Sequence, residues 1–157
     1  MTIEIERKFL LSESPPLGQL GVGVRLRQGY LAEEDTVEVR VRITSAVATI
    51  TVKAGTGVSR TEVDVAISFE QAEALWPHTV GRRIDKTRHR VALDDPPGHV
   101  AEVDVYAGDL AGLTVVEVEF SSEPDAAAFV PPGWFGRELT GEAAWSNASL
   151  ARHGRPG

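Results

Sequence analysis

The stretch Val37-Glu38-Val39-Arg40-Val41-Arg42-Ile43 decides the fold. Its odd positions are aliphatic and its even positions are charged, which is the period-two signature of a strand with one apolar and one polar face. The pattern recurs in Ala48-Thr49-Ile50-Thr51-Val52-Lys53 and in 59–67, where Arg60, Glu62 and Asp64 alternate with Thr61, Val63, Val65 and Ile67. In 100–106, Glu102 and Asp104 oppose Ala101, Val103 and Val105. In 115–120, Glu117 and Glu119 oppose Val116, Val118 and Phe120. Segment 82–92 has Lys86, Arg88 and Arg90 in phase with Ile84, so its two faces are less cleanly divided. With 3–11 and 24–31, eight strands are expected.

Turn chemistry separates these segments. Gly55-Thr56-Gly57 and Asp94-Asp95-Pro96-Pro97-Gly98 each join two strands, and Ser14-Pro15-Pro16-Leu17-Gly18 is a loop after the first strand. Helices are few. Ser68-Phe69-Glu70-Gln71 is a capping box that opens a helix to about Trp76, ahead of Pro77. A short helix over 125–130 stops at Pro131-Pro132, and a third over 146–152 precedes Gly154.

The chain has 157 residues and a formal net charge of −7, with 16 Lys and Arg against 23 Asp and Glu. That length suits one domain over 1–157. The absence of cysteine excludes disulfides, thiolate metal sites and a Cys nucleophile. No apolar run approaches the ~20 residues of a membrane span. The opening MTIEIERKFL lacks the order of a secretory signal, so a cytoplasmic protein is expected. The acidic balance argues against a broad nucleic-acid surface. It also argues at first sight against an anionic substrate.

The placement of the charges reverses that second inference. The bases in or beside strands exceed the strand acids by three positive charges. The acids form like-charge pairs two residues apart: Glu4/Glu6, Glu62/Asp64, Glu102/Asp104 and Glu117/Glu119. Such residues point the same way, roughly 7 Å apart, and repel. Paired carboxylates suit a hard divalent cation, and paired Arg and Lys suit phosphate. A plain alternative is an antiparallel sheet with one solvated face, whose ion pairs contribute little each. Eight strands can instead close into a barrel with the charged faces inward. Helices and the opposite faces must then supply the apolar core.

Glu4-Ile-Glu6-Arg-Lys8 resembles the ExExK signature of the CYTH family, the triphosphate tunnel metalloenzymes. Glu38-Val-Arg40-Val-Arg42, Thr51-Val-Lys53, Arg60-Thr-Glu62-Val-Asp64, Lys86-Thr-Arg88, Glu102-Val-Asp104 and Glu117-Val-Glu119 follow in the family's order. Gly136-Arg-Glu-Leu-Thr140-Gly and Trp145-Ser-Asn147-Ala-Ser-Leu150 resemble its C-terminal signature. The family often has a basic residue and Tyr where this chain has Ala144 and Trp145, and a longer helical insertion after the first strand. The likeness is greatest to short bacterial members, several of which hydrolyse inorganic tripolyphosphate.

The resemblance implies a mainly β fold, an eight-stranded antiparallel tunnel with a few peripheral helices. It also implies a metal-dependent triphosphatase acting on tripolyphosphate with Mg²⁺ or Mn²⁺. By the same resemblance, Lys8, Arg40, Arg42, Lys53, Lys86 and Arg88 bind phosphate, and Glu4, Glu6, Glu117 and Glu119 hold the metal with Asp104 nearby. Arg25 and Arg27 join the substrate-binding set, either lining the tunnel or bracing its edge. Glu62 and Asp64 match a further acidic pair, serving a second metal or the attacking water. With Glu4 and Glu6 they are the candidate catalytic residues. The competing readings are a class IV-type adenylate cyclase, a nucleoside or thiamine triphosphatase, and a non-catalytic polyphosphate binder. Family members often dimerise, so a homodimer is open. Gly21-Val-Gly23 and Gly55-Thr-Gly57 lack the Gly-Lys-Ser/Thr of a P-loop, and the four histidines show no ligand spacing.

Overall fold

A computed structural model describes residues 2–11, 20–94 and 97–157. The expected loop at 14–18 lies outside these residues, as do Asp95 and Pro96 of the 94–98 turn. Nine strands form: β1 (Thr2–Leu11), β2 (Val24–Glu34), β3 (Val37–Ile43), β4 (Ala48–Ala54), β5 (Ser59–Ile67), β6 (Arg83–Leu93), β7 (His99–Tyr106), β8 (Thr114–Glu119) and β9 (Phe135–Glu138). Their order is β5-β4-β3-β2-β6-β7-β8-β1-β9, and a further β5–β1 pairing closes the first eight into an antiparallel barrel. Closure uses β1 in two halves. Thr2 to Ile5 pair with β5, and Glu6 to Leu10 pair with β8. Where β5 leaves, β9 takes its place beside Phe9 and Leu11.

The alternation read from the sequence now has a direction. Even residues of β3 and β5 and odd residues of β4 meet inside: Glu38 stands opposite Lys53, Lys53 opposite Glu62, and Thr51 opposite Asp64. The alternate residues of each strand face outward, and helices cover part of them. Helix α1 (Phe69–Leu75) sets Ala72 against Val41, Ile43 and Ala48. Its capping box is complete: Ser68 Oγ accepts from Gln71 N at 3.1 Å, and Gln71 Oε1 accepts from Ser68 N at 2.9 Å. Helix α2 (Glu123–Ala128) covers β1, β7 and β8 with Ala126 and Phe129, which join Phe9, Val103, Val116, Val118 and Phe120 in one apolar cluster. It begins two residues earlier than the sequence suggests, because Ser122 caps it through Asp125 N and Pro124 is tolerated in the first turn. Helix α3 (Asn147–His153) takes Ser146 as its N-cap.

A third apolar cluster explains the mixed phase of β6. Ile84 does face the barrel interior, but at one end, where Tyr106, Leu110, Leu113, Val115, Leu139, Trp145 and Leu150 pack as a plug. The interior is therefore apolar at that end and charged along the rest of its length. Expected strands 3–11 through 115–120 are all present. The ninth, β9, is four residues long and contains Gly136, too short to show a period.

Candidate active site

Six strands converge on the charged part of the barrel. A small polar cavity of about 50 Å³ is lined by Glu4, Arg40, Arg42, Lys53, Glu62, Arg88, Glu117, Glu119 and Asn147. A larger cavity of about 210 Å³ opens at the mouth and shares Arg40, Lys53 and Asn147 with it, adding Glu6, Lys8, Tyr30 and Arg60 among others.

The acids gather unevenly. Carboxylate oxygens of Glu4, Glu6 and Glu119 lie within 4.8 Å of one another. Register places Glu6 directly opposite Glu119, a repulsive pairing unless something positive sits between them. Burial first, and then the charge of Glu117, push the Glu6 carboxyl well above the usual range. Burial also raises Glu119, reinforced by Glu102 and Glu4. Glu4 moves down: its burial opposes this, but Lys53 overcomes it, with Nζ 2.9 Å from Oε1 and 2.7 Å from Oε2. Such a set, oxygen-rich and short of positive charge, fits a divalent cation.

Glu117 stands apart from this trio. Arg88 Nη2 lies 3.3 Å from its Oε2 and Lys8 Nζ 3.9 Å from its Oε1. Burial would raise it, but Lys86, Arg88, Lys8 and Lys53 together hold it far below the ordinary carboxylate range. Asp104 is further removed. It is fully buried, takes Lys86 Nζ at 2.5 Å, and receives Arg88 through both oxygens at 2.7 and 2.8 Å. This corrects the placement of two residues. Asp104 is not among the gathered carboxylates, and Lys86, with no exposed side-chain surface, is its counter-ion beneath the site and borders neither cavity. Burial lowers the Lys86 ammonium to about 8, against the pull of Asp104.

The bases divide in the same way. Lys53 bridges Glu4 and Glu62 (3.2 Å), so ion pairs run along the wall across β4, β5 and β1. Lys8 is held at the lip, its Nζ donating to Trp145 O at 2.6 Å. Arg40 and Arg42 differ: among the described residues neither has a carboxylate within 4.0 Å. Arg40 is 5% exposed and its Nε is buried without a hydrogen-bond partner. Arg42 Nε donates to Gln28 Oε1 at 2.9 Å. Burial, with Arg40 and Arg88 nearby, lowers the Arg42 guanidinium to about 10. Burial would lower the Arg40 guanidinium, but Tyr30, Glu62 and Glu38 raise it. Two buried guanidiniums without an ion pair, beside one cavity, fit an anion able to take several donors.

Arg25 and Arg27 fall on the other face of β2, and their place in the substrate set is corrected accordingly. Arg25 forks onto Asp85 outside the barrel at 2.5 and 3.0 Å, and Arg27 lies over the Trp76 ring at 5.4 Å. The inward residues of β2 are Leu26, Gln28 and Tyr30, since Gln28 reaches Arg42 and Tyr30 lines the mouth. Arg82 and Arg83 also lie outside, bonding the carbonyls of His78 and Trp76. Four of the strand bases, Arg25, Arg27, Arg82 and Arg83, thus lie outside the barrel, so the positive excess read from the sequence does not carry over to the lumen.

Asp64 accepts from Thr51 Oγ1 at 2.5 Å, and Glu62, its carboxyl raised by burial, borders the cavity. Several residues in or beside the lumen were given no site role from sequence. Glu38, in phase with Arg40, pairs with Arg60 at 3.0 Å; Glu102 pairs with Arg88 at 3.2 Å. Tyr30 and Tyr106 are in phase with charged neighbours, a signal that was available. Asn147 carries no periodic signal.

Carboxylates on one wall and guanidiniums without ion pairs on another, inside a closed antiparallel barrel, define a tunnel built for an anion and a cation together. The CYTH domain model matches residues 2–140, and the chain belongs to that family. It is 47% identical over 149 residues to an inorganic triphosphatase of Nitrosomonas europaea, covering 94% of this chain and 96% of that protein. A second inorganic triphosphatase, from Acetivibrio thermocellus, is 34% identical over 152 residues, covering 96% and 94%. A crystal structure of an inorganic triphosphatase superposes with a TM-score of 0.72 at 43% identity, over 99% of each chain.

Proposed function

We propose that this chain hydrolyses inorganic tripolyphosphate to pyrophosphate and phosphate, using Mg²⁺ or Mn²⁺, with residues 1–157 acting as one domain. The observation that supports it most is that Arg40 and Arg42, neither of them ion-paired, line one polar cavity with Glu4 and Glu119, whose carboxylates gather with that of Glu6. Arg40, Arg42, Arg88 and Lys53 hold phosphate oxygens, and Lys8 meets them at the mouth. Glu4, Glu6 and Glu119 are the residues that fit the cation. Bound there, the cation supplies charge neutralisation and acidifies water. Phosphoryl transfer depends mainly on positioning and electrostatics, which a rigid barrel of fixed charges provides.

The wall's own ion pairs have a role in this account. Lys53 spans Glu4 and Glu62; when the carboxylates turn to a cation, its ammonium turns to phosphate. Substrate and cation therefore each release the other's residues, so their binding is mutually favourable. In the reaction, water oxygen bonds to a terminal phosphorus, the bridging P–O bond breaks, and pyrophosphate leaves with that electron pair. The water proton passes to the coupled carboxylates of the lumen and on to solvent. The test is phosphate release from tripolyphosphate with Mg²⁺ or Mn²⁺ by wild type, Glu4→Gln and Arg40→Ala. Each substitution is expected to lower turnover at least tenfold; if neither does, the site is misassigned.

A further inference from the structure

The segment after β9 is drawn across the plugged end of the barrel. Trp145 and Leu150 enter the apolar plug, Trp145 O accepts Lys8 Nζ, and Ser146 Oγ accepts from Ser149 N at 3.1 Å. These anchors set Asn147, the first residue of α3, beside the lumen. Its side-chain oxygen is taken: Tyr106 Oη donates to Asn147 Oδ1 at 2.5 Å. Tyr106 is 3% exposed, stands opposite Lys86 and packs in the plug, so its ring cannot swing away.

A phenol has one proton, and giving it to the carbonyl oxygen decides which end of the amide turns toward Tyr106. The Nδ2 end then faces the other way. Asn147 borders both the cavity lined by Arg40, Arg42, Lys53 and Arg88 and the larger mouth cavity. Among the described residues, Nδ2 donates to nothing. An amide whose oxygen is committed presents two N–H donors and no acceptor, which suits an anionic oxygen. It adds donors without adding charge, so it does not compete with Lys53 or Arg88 for the lumen carboxylates.

We infer that Asn147 is a substrate-binding residue whose Nδ2 donates to a phosphate oxygen at the junction of the lumen and mouth cavities, and that Tyr106 is the positioning residue that holds the amide in that orientation. The inference rests on the tripolyphosphate reading above. It assigns a role to the part of the chain beyond residue 140, where the family match ends.

Calorimetric titration of tripolyphosphate, in EDTA and with Mg²⁺, tests this on wild type, Asn147→Ala, Asn147→Asp, Tyr106→Phe and the Tyr106→Phe/Asn147→Ala double variant. Unfolding midpoints check that each is folded. Asn147→Ala is expected to weaken binding about tenfold, the scale of a hydrogen bond to a charged group. Asn147→Asp, of the same shape but without the donor, weakens it further and carries the test if the alanine variant does not fold. Tyr106→Phe weakens binding about threefold alone and less than twofold when Asn147 is already alanine, because its effect runs through the amide. Binding by folded Asn147 variants within twofold of wild type overturns the role of Asn147. Equal effects of Tyr106→Phe in both backgrounds overturn its positioning role. Absence of binding by wild type under both conditions overturns the tripolyphosphate reading itself.

Discussion

At the scale of single residues, the lumen separates charges that hold the barrel from charges that are free to act. Asp104 belongs to the first kind, enclosed by Lys86 and Arg88. Asp104→Asn leaves the fully buried Lys86 without its counter-ion. It should lower unfolding free energy by about 3–5 kcal/mol, read from urea denaturation. Arg25 belongs to neither kind. Arg25→Ala breaks only an exposed pair with Asp85, so turnover should stay within twofold of wild type. Glu6 is of the second kind. Burial and then Glu117 raise its folded pKa above the ordinary 4.5, so its contribution to stability is present below that value and is lost as pH rises through the folded one. In EDTA, the midpoint of Glu6→Gln should therefore gain on that of wild type as pH rises from about 4.5. A difference that is flat or reversed with pH contradicts the account of Glu6. Glu117 has the opposite sign: its pairing stabilises above the ordinary value and fades as pH falls through the depressed one.

At the scale of elements, most strands were legible because a closed barrel with a charged lumen sets inward polar residues alternating with outward aliphatic ones. Val37 to Ile43 show this most cleanly, their even residues all turned to the lumen. Helix α1 was legible from Ser68 and Gln71, whose reciprocal hydrogen bonds are local in sequence. Ser68→Ala should cost about 1 kcal/mol of stability and leave turnover unchanged. What escaped the sequence was long-range. Whether Arg25 faces in or out depends on the phase of β2, where Arg25, Arg27 and the small polar Gln28 and Gly29 hide which side is apolar. That Lys86 is spent on Asp104 depends on a neighbour 18 residues away. Gly29 marks a contact of the same sort: a Cβ there would meet Thr79 Cβ and Oγ1 at 2.5 Å. Thr79 ends the 3-10 turn at Trp76–Thr79, and its Oγ1 donates to Trp76 O at 2.7 Å. Gly29→Ala should thus push that turn from β2 and cost about 1–3 kcal/mol, visible as a lower urea midpoint.

At the scale of the whole molecule, the net charge of −7 and the tunnel describe different places. Apolar clusters lie on the outer face of the strands beneath the helices, and a plug of Ile84, Leu139 and Leu150 closes one end. The aqueous interior is left to acids and bases of the strands, divided into a carboxylate wall and a guanidinium wall. A divalent cation on the first and a polyanion on the second restore to each the charge it lacks. On the proposed reading, substrate and metal are thus required together. The most direct measurement is product analysis of tripolyphosphate incubated with the purified chain. The account predicts one phosphate and one pyrophosphate for each tripolyphosphate consumed, with turnover abolished by EDTA and restored by Mg²⁺ or Mn²⁺. Cleavage that persists in EDTA, or none under any of these conditions, would contradict it.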